Sequence, residues 1–318
     1  MFEENEPKPK FLIVDGHALV YRAYHAFPQL LDKNDQPAGA VYGFLRILLS
    51  VLRDVTPACW LIAFDDPAPT KRRLKYDFYK ANRPEMPEDL RPQVETVKKA
   101  VAQMGAPVKQ MPGIEADDII GTLSRQVCEA GQYDVLILTG DKDSFQLVND
   151  CIHVLSPNST RDRAAKVRQP LIEYTPALVE QKMQIPPALI VDFKALAGDA
   201  SDNIPGVTGI GAKTAVALLR QFGSLDGIYQ AIDNDNVADV RASVVAKLIN
   251  FREQAYVSQE LARIDTHVGE VQFDEAACRV SDYNKPAMVE LLEQHGFNSL
   301  IKLLPDDEFE SGLQEALF

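Results

Sequence analysis

The sequence predicts an α/β protein with a mostly parallel central sheet flanked by helices, followed by a helical C-terminal subdomain. Three observations predict it. Short apolar runs that end in an aspartate recur at 11–15, 59–65 and 135–141. Segments between them carry apolar residues at helical spacing, and strands alternating with helices build parallel sheets. After about residue 175 the strand-like runs stop and helical periodicity takes over.

Residues 11–15 (Phe-Leu-Ile-Val-Asp) read as a buried strand, because strands covered on both faces are apolar throughout. A helix follows at 40–55, and 59–65 (Cys-Trp-Leu-Ile-Ala-Phe-Asp) is a second strand. An amphipathic helix is expected at 87–104, a weaker strand at 106–110, and a helix at 115–130 closed by Gly131. Residues 135–141 (Val-Leu-Ile-Leu-Thr-Gly-Asp) form a further strand. Helices then follow at 176–184, 188–197, 212–222, along the stretch 241–263, and at 286–304, with no repeat of solenoid period. The plan is a flexible N-terminus at 1–10, an α/β core at 11–174, a helical subdomain at 175–305 and an acidic tail at 306–318.

No apolar run approaches a membrane span, and the polar N-terminus lacks the apolar centre of a secretory signal, so a cytoplasmic protein with no membrane association is expected. The four cysteines are far apart with no paired spacing, which removes a zinc ribbon. The net charge of -13 argues at first against a nucleic-acid partner. Its distribution reverses that. Nine acids fall in the clusters described next, and five more lie in the tail (Asp306, Asp307, Glu308, Glu310, Glu315). The remaining body is near neutral and carries local basic clusters, so DNA is not excluded.

In parallel sheets ligands bind beyond the carboxyl ends of the strands. Asp15, Asp65 and Asp141 fall at that edge, and Glu115 opens a helix on the same side. Asp117 and Asp118 crowd the same helix start, Asp143 follows Asp141, and Asp199 and Asp202 form a later pair. A single acid after a strand is ordinarily a turn or cap residue. Three acids at one helix start exceed what a cap requires, and crowded carboxylates repel unless cations neutralise them. Oxygen ligands without histidine suit hard ions, so two magnesium or manganese ions are expected. Such a pair activates water and stabilises the leaving oxygen of a phosphodiester. Of the five histidines, only His17, beside Asp15, is expected near these acids.

Two further segments suit a polyanion. Residues 71–83 hold Lys71, Arg72, Arg73, Lys75, Lys80 and Arg83, interleaved with Tyr76, Phe78 and Tyr79. Cations meet phosphates while bases stack on rings, which suits a single strand. A solvated helix face is the plain alternative, and the neighbouring acids, which need an anionic substrate, favour binding. The run Gly206-Val-Thr-Gly209-Ile-Gly211-Ala-Lys213-Thr214 brings backbone amides close to phosphate ahead of a helix N-terminus. Its glycine spacing is neither a dinucleotide fingerprint nor a P-loop. The alternative is a tight turn between helices.

The chain resembles the 5′ nuclease domain of bacterial DNA polymerase I, within the flap endonuclease superfamily. The matching stretches are 14–22 (Val-Asp-Gly-His-Ala-Leu-Val-Tyr-Arg), 38–44, 79–84 (Tyr-Lys-Ala-Asn-Arg-Pro), 113–118 (Gly-Ile-Glu-Ala-Asp-Asp), 139–143 with 146–148, and 198–206 (Gly-Asp-Ala-Ser-Asp-Asn-Ile-Pro-Gly). The resemblance implies a PIN-like 5′ nuclease core and a helix–hairpin–helix at 206–214. It places Asp15, Asp65, Glu115 and Asp117 around one metal, Asp141, Asp143, Asp199 and Asp202 nearer the second, and Asp118 at either. It makes 70–100 an arch over a 5′ single strand, with Lys80 and Arg83 on the scissile phosphate, Tyr79 stacked on a base, and Arg22 and Arg72 as DNA contacts. Lys71 stands where the family often has an aromatic. A potassium ion is implied at the hairpin. The tail residues Gln314, Leu317 and Phe318 resemble a bacterial sliding-clamp peptide, with self-packing as the alternative, and that ending favours a free-standing enzyme over a fragment.

The expected function is a monomeric, structure-specific 5′ flap endonuclease and 5′→3′ exonuclease of replication and repair, cutting DNA and RNA primers at flaps, nicks and branched ends. A non-catalytic scaffold for branched DNA and an RNA-directed PIN-like nuclease are the rival readings.

Overall fold

The computed structural model describes residues 8–157, 171–280 and 283–305. The clamp-like residues Gln314, Leu317 and Phe318 and most of the expected flexible N-terminus lie outside them.

The core is one six-stranded sheet in the order β3-β2-β1-β4-β5-β6. Strand β1 (Lys10–Asp15) runs parallel between β2 (Cys59–Ala63) and β4 (Asp134–Leu138). Short β3 (Val108–Lys109) extends the β2 side, and β5 (Ile152–Pro157) the β4 side, both parallel. Strand β6 (Leu171–Tyr174) closes that edge antiparallel to β5. The order therefore reverses at β1, and the crevice at such a switch point is where open α/β sheets place ligands.

Side chains alternate across β1. Phe11 and Ile13 enter one buried cluster, and Leu12 and Val14 enter the other. On the second side lie α1 (Gly16–Ala26), α2 (Gly39–Val55) and α4 (Arg91–Gln103). Five-residue α3 (Lys71–Lys75) precedes α4 and buries none of its residues. On the first side lies α5 (Ala116–Ala130), ended by Gly131 at φ +73. Helices α6 (Pro176–Met183), α7 (Ile190–Ala197), α8 (Ala212–Phe222), α9 (Leu225–Asp233), α10 (Ala242–Asn250) and α11 (Arg252–Ala262) pack on that same side.

After α12 (Glu275–Cys278) the chain returns to the core, where the Val280 amide donates to the Ala58 carbonyl at 2.8 Å. Helices α13 (Lys285–Gln294) and α14 (Asn298–Ile301) then cover the α2/α4 side. The helices after residue 175 thus divide between both faces of the sheet.

The expected elements differ in detail from those formed. The stretch 241–263 is two helices meeting at Phe251, which carries neither glycine nor proline to mark the break. The stretch 286–304 is also two, because Gly296 at φ +73 closes α13 while the Phe297 amide reaches back to the Leu292 carbonyl at 2.7 Å. Strands β5 and β6 and helices α1, α3, α9 and α12 are additions that the apolar runs did not announce.

Candidate active site

Asp15 ends β1 and caps α1, accepting the Ala18 amide through Oδ1 at 3.0 Å and the Thr139 hydroxyl through Oδ2 at 2.8 Å. Asp65 follows β2 and accepts the Ala116 amide at 2.8 Å, capping α5 from another strand. Asp117 occupies the first turn of α5, where the helix dipole favours an anion. Asp141 follows β4, and its amide donates to the Thr139 hydroxyl at 3.0 Å. Thr139 therefore orders acids from two strands.

These four carboxylates gather at the switch point, and the charge of the others is felt at Asp15 and Asp117. Burial, then repulsion from Asp65 and Asp141, pushes Asp15 up to about 7. Burial, then Asp15 and Asp141, holds Asp117 well above the usual carboxylate range. Among the described residues, no lysine or arginine forms an ion pair with any of the four. Crowded negative charge without a partner is costly, so this quartet, with Asp15 buried at its floor, calls for a cation supplied from outside.

The outer acids are already paired with the protein's own cations. Glu115 accepts from Lys80 Nζ at 2.6 Å, the Thr70 hydroxyl at 3.0 Å and the Tyr79 hydroxyl at 3.1 Å. Although its burial works the other way, Lys80 and Arg72 draw its pKa down. Asp202 pairs with Arg83 at 2.5 Å and lies 3.8 Å from Lys80. Lys194 of α7 is inserted between Asp143 and Asp199, 2.5 Å from Asp199. Burial and then Asp141 push Asp143 up to about 7, while Lys194 overcomes burial to hold Asp199 near about 2. Asp118 holds the Arg72 guanidinium through both oxygens, at 2.7 and 2.8 Å.

The donor set is all oxygen, as a hard cation requires. Among the described residues, no three acidic, histidine or cysteine side chains form a ready-made metal shell. Magnesium keeps much of its water and takes few protein oxygens directly, so an open quartet without cationic partners fits it. His17 lies at the rim, its Nδ1 accepting the Asp65 amide at 3.0 Å.

The basic segment lies against the helical half. Lys80 sits at φ +55, and its amide donates to the Asp202 carbonyl at 2.9 Å. Tyr79 is only 3% exposed and packs with Val191, Ile204 and Leu261, so its ring here lies among protein side chains. Lys75 and Tyr76 both reach Glu260 of α11, at 2.5 and 2.9 Å. Arg22 donates to the Pro157 carbonyl at 2.6 Å and flanks Gly140.

The 206–211 turn between α7 and α8 is a compact hairpin. Gly206 (φ +59) packs so tightly that a Cβ would come within 2.2 Å of the Gly198 nitrogen, and Gly209 (φ +80) abuts Lys247. The Gly206 amide donates to Ser258 at 3.1 Å, Gln254 donates to its carbonyl, and Lys247 donates to the Gly209 carbonyl at 3.0 Å. Gly211, Lys213 and Thr214 follow at the start of α8, with Gly211 and Lys213 exposed.

Lys194, Thr139 and Lys247 were not among the expected site residues. Lys194 alone left a trace, as a lone cation in the apolar helix Ile-Val-Asp-Phe-Lys-Ala-Leu-Ala.

Comparison with known proteins agrees with this arrangement. Residues 10–184 match the family model of the 5′-3′ exonuclease N-terminal, resolvase-like domain, and 185–286 match that of the 5′-3′ exonuclease C-terminal SAM fold. The thermostable DNA polymerase I of Thermus filiformis is 38% identical over 302 residues, 95% of this chain and 34% of that protein. DNA polymerase I of Pseudomonas aeruginosa is 41% identical over 260 residues, 81% of this chain and 27% of that protein. The chain spans about a third of the length of these curated relatives. T5 5′-exonuclease with bound divalent metal ions (zinc) superposes with a TM-score of 0.63 at 21% identity, covering 92% of this chain and 96% of its own. The catalytic core of Rad2 in complex with DNA substrate gives 0.58 at 15%, covering 94% and 92%. These two likenesses establish the shared fold, a mostly parallel sheet with flanking helices.

Proposed function

The chain belongs to the 5′-3′ exonuclease family, and on that premise we propose that it is a divalent-metal-dependent, structure-specific nuclease acting at the 5′ ends of flapped, nicked or branched DNA and on RNA primers, in replication and repair. The observation that carries this is the uncompensated quartet Asp15, Asp65, Asp117 and Asp141, beside Lys80 and Arg83. Glu115, Asp143, Asp199 and Asp202 complete the donor set once their ammonium and guanidinium partners turn to phosphate. Two magnesium or manganese ions bound there would activate water and neutralise the charge that develops on the phosphodiester.

The chain's own residues do the rest. Thr139 and the α1 and α5 amides orient Asp15 and Asp65, so the acids are placed before substrate arrives. Lys80 and Arg83 rest on acids that cations would claim, and are thereby aimed at the position of the scissile phosphate. Lys80, Arg83 and the hairpin amides would select a phosphate backbone rather than a base sequence. We assign Gly206, Gly209, Gly211, Lys213 and Thr214 to a helix–hairpin–helix grip on the duplex. A potassium ion there belongs to the same proposal, in competition with Gln254 and Lys247 for the Gly206 and Gly209 carbonyls. Binding to a sliding clamp through the tail, a monomeric state and a cytoplasmic setting also remain proposals. No described helix is long and apolar enough to cross a membrane.

The test is cleavage of a 5′-labelled flap with magnesium, with and without EDTA, alongside Asp141→Asn. Expected are EDTA-sensitive release of the flap and a loss in the variant on the order of 100-fold or more, the scale of removing one electrostatic partner of developing charge. Metal-independent cleavage, or full activity in Asp141→Asn, would sink the mechanism.

A further inference from the structure

Asp118 and Arg72, one expected as a metal ligand and the other as a DNA contact, grip each other, with Glu115 Oε1 also 3.6 Å from Arg72 Nη1. Arg72 donates through Nη1 to Asp118 Oδ2 at 2.7 Å and through Nη2 to Oδ1 at 2.8 Å. The same Nη2 donates to the Arg263 carbonyl at 2.6 Å, and Asp118 Oδ1 also accepts the Asp265 amide at 2.8 Å. The two side chains are only 17% and 9% exposed. Three of the carboxylate's roughly four acceptor directions are thus taken, in the planar fork that makes such pairs strong. Asp117 and Asp118 are adjacent on α5, so their side chains point roughly 100° apart around the helix axis. Asp117 faces the quartet, and Asp118 faces the joint between segment 71–83 and the backbone that follows α11.

We infer that Asp118 is a positioning residue: paired with Arg72, it latches the basic segment onto the 263–265 backbone, so that Lys80 and Arg83 are held over the acids. Neighbouring contacts lie along the same seam. Asn203 donates to the Phe78 carbonyl and Asn82 to the Ala200 carbonyl, both at 2.8 Å. These hold the far part of the segment, and the Arg72–Asp118 pair fixes its root. The inference rests on the reading of the site as a metal-dependent nuclease, and it removes Asp118 from the ligand set and Arg72 from the direct phosphate contacts.

The test compares Arg72→Lys, Asp118→Asn and the double variant with the parent chain. Equilibrium Mn²⁺ binding is measured without DNA by electron paramagnetic resonance, and KM and kcat are measured on a 5′ flap with magnesium. A latch predicts Mn²⁺ affinity within about twofold of the parent in all three. It predicts KM raised by about tenfold in each single variant, equivalent to ~1.4 kcal/mol, with kcat little changed. The double variant should be no worse than either single, because both break one interaction. Lysine should not rescue, since it cannot supply the two-pronged contact.

Tenfold weaker Mn²⁺ binding in Asp118→Asn but not in Arg72→Lys would overturn the inference and return Asp118 to the ligands. Additive KM losses would overturn it too. Asp141→Asn is the control for the site: if it binds Mn²⁺ like the parent, the metal reading fails, and the KM comparison still decides the latch. Should Asp118→Asn not fold, Arg72→Met with Asp118→Leu replaces the pair by apolar groups and carries the same KM expectation.

Discussion

Asp15 shows how one residue trades stability for chemistry. Burial pushes its carboxyl up to about 7 in the fold, from an ordinary 3.8. Between those values the folded state holds a proton that the unfolded chain has lost. That contribution to stability is therefore present at low pH and fades as pH rises toward 7. In EDTA at pH 8, Asp15→Asn should melt a few degrees above the parent, about what 1–2 kcal/mol gives in a domain of this size, while losing nuclease activity. At pH 5 the gap should narrow, and magnesium at pH 8 should raise the parent's Tm far more than the variant's. Equal melting curves at pH 8 without metal would remove the claim that the quartet is uncompensated. The acids themselves were legible, because an apolar run that stops at an aspartate marks the rim of a parallel sheet. Their partners were not. Lys194 lies 51 positions from Asp143 in sequence, and its meaning appears only once α7 packs beside the turn after β4.

At the scale of elements, the hairpin before α8 depends on residues that follow it by 38 to 52 positions. Ser258 and Gln254 of α11 hold Gly206, and Lys247 of α10 holds Gly209. The glycine run was legible as a turn ahead of a helix, and α8 formed over the expected residues. Its supports were not legible, since each is an ordinary polar residue on an amphipathic helix. The break at Phe251 was hidden for a related reason: no glycine or proline marks it. If the hairpin grips the duplex backbone, Lys213→Ala should weaken DNA binding evenly across sequences and lower the slope of log affinity against log salt by about 1. Turnover at saturating DNA should stay close to the parent's, because Lys213 is remote from the acids in its role. An unchanged salt slope would show that the hairpin does not touch phosphate. Gly206→Ala is the harsher case, since its new Cβ would meet backbone at 2.2 Å and a positive φ, and it should lower Tm before it alters any kinetic constant.

The whole molecule keeps a charged crevice open by burying both faces of its sheet. One face is covered by α5 and the helices from α6 to α11, which also carry Lys194, Asp199, Asp202 and the hairpin to the rim. The other is covered by α1, α2 and α4, and completed only when α13 and α14 return to it. An even division at residue 175 was the natural expectation, because hydrophobic period reports that a segment is helical and not which face it will cover. The consequence is that the last helices serve stability, apart from the chemistry. Leu292 is fully buried in the cluster shared with α2 and α4, so Leu292→Ala should cost about 2–5 kcal/mol of unfolding free energy. At 25 °C its flap KM and half-saturating magnesium should match the parent's, since α13 packs chiefly against α4 and α14. Urea unfolding measured alongside flap cleavage decides the matter. A loss of stability with intact kinetics places α13 in the scaffold, whereas altered magnesium dependence would show that the sheet transmits packing on its far face to the acids at its rim.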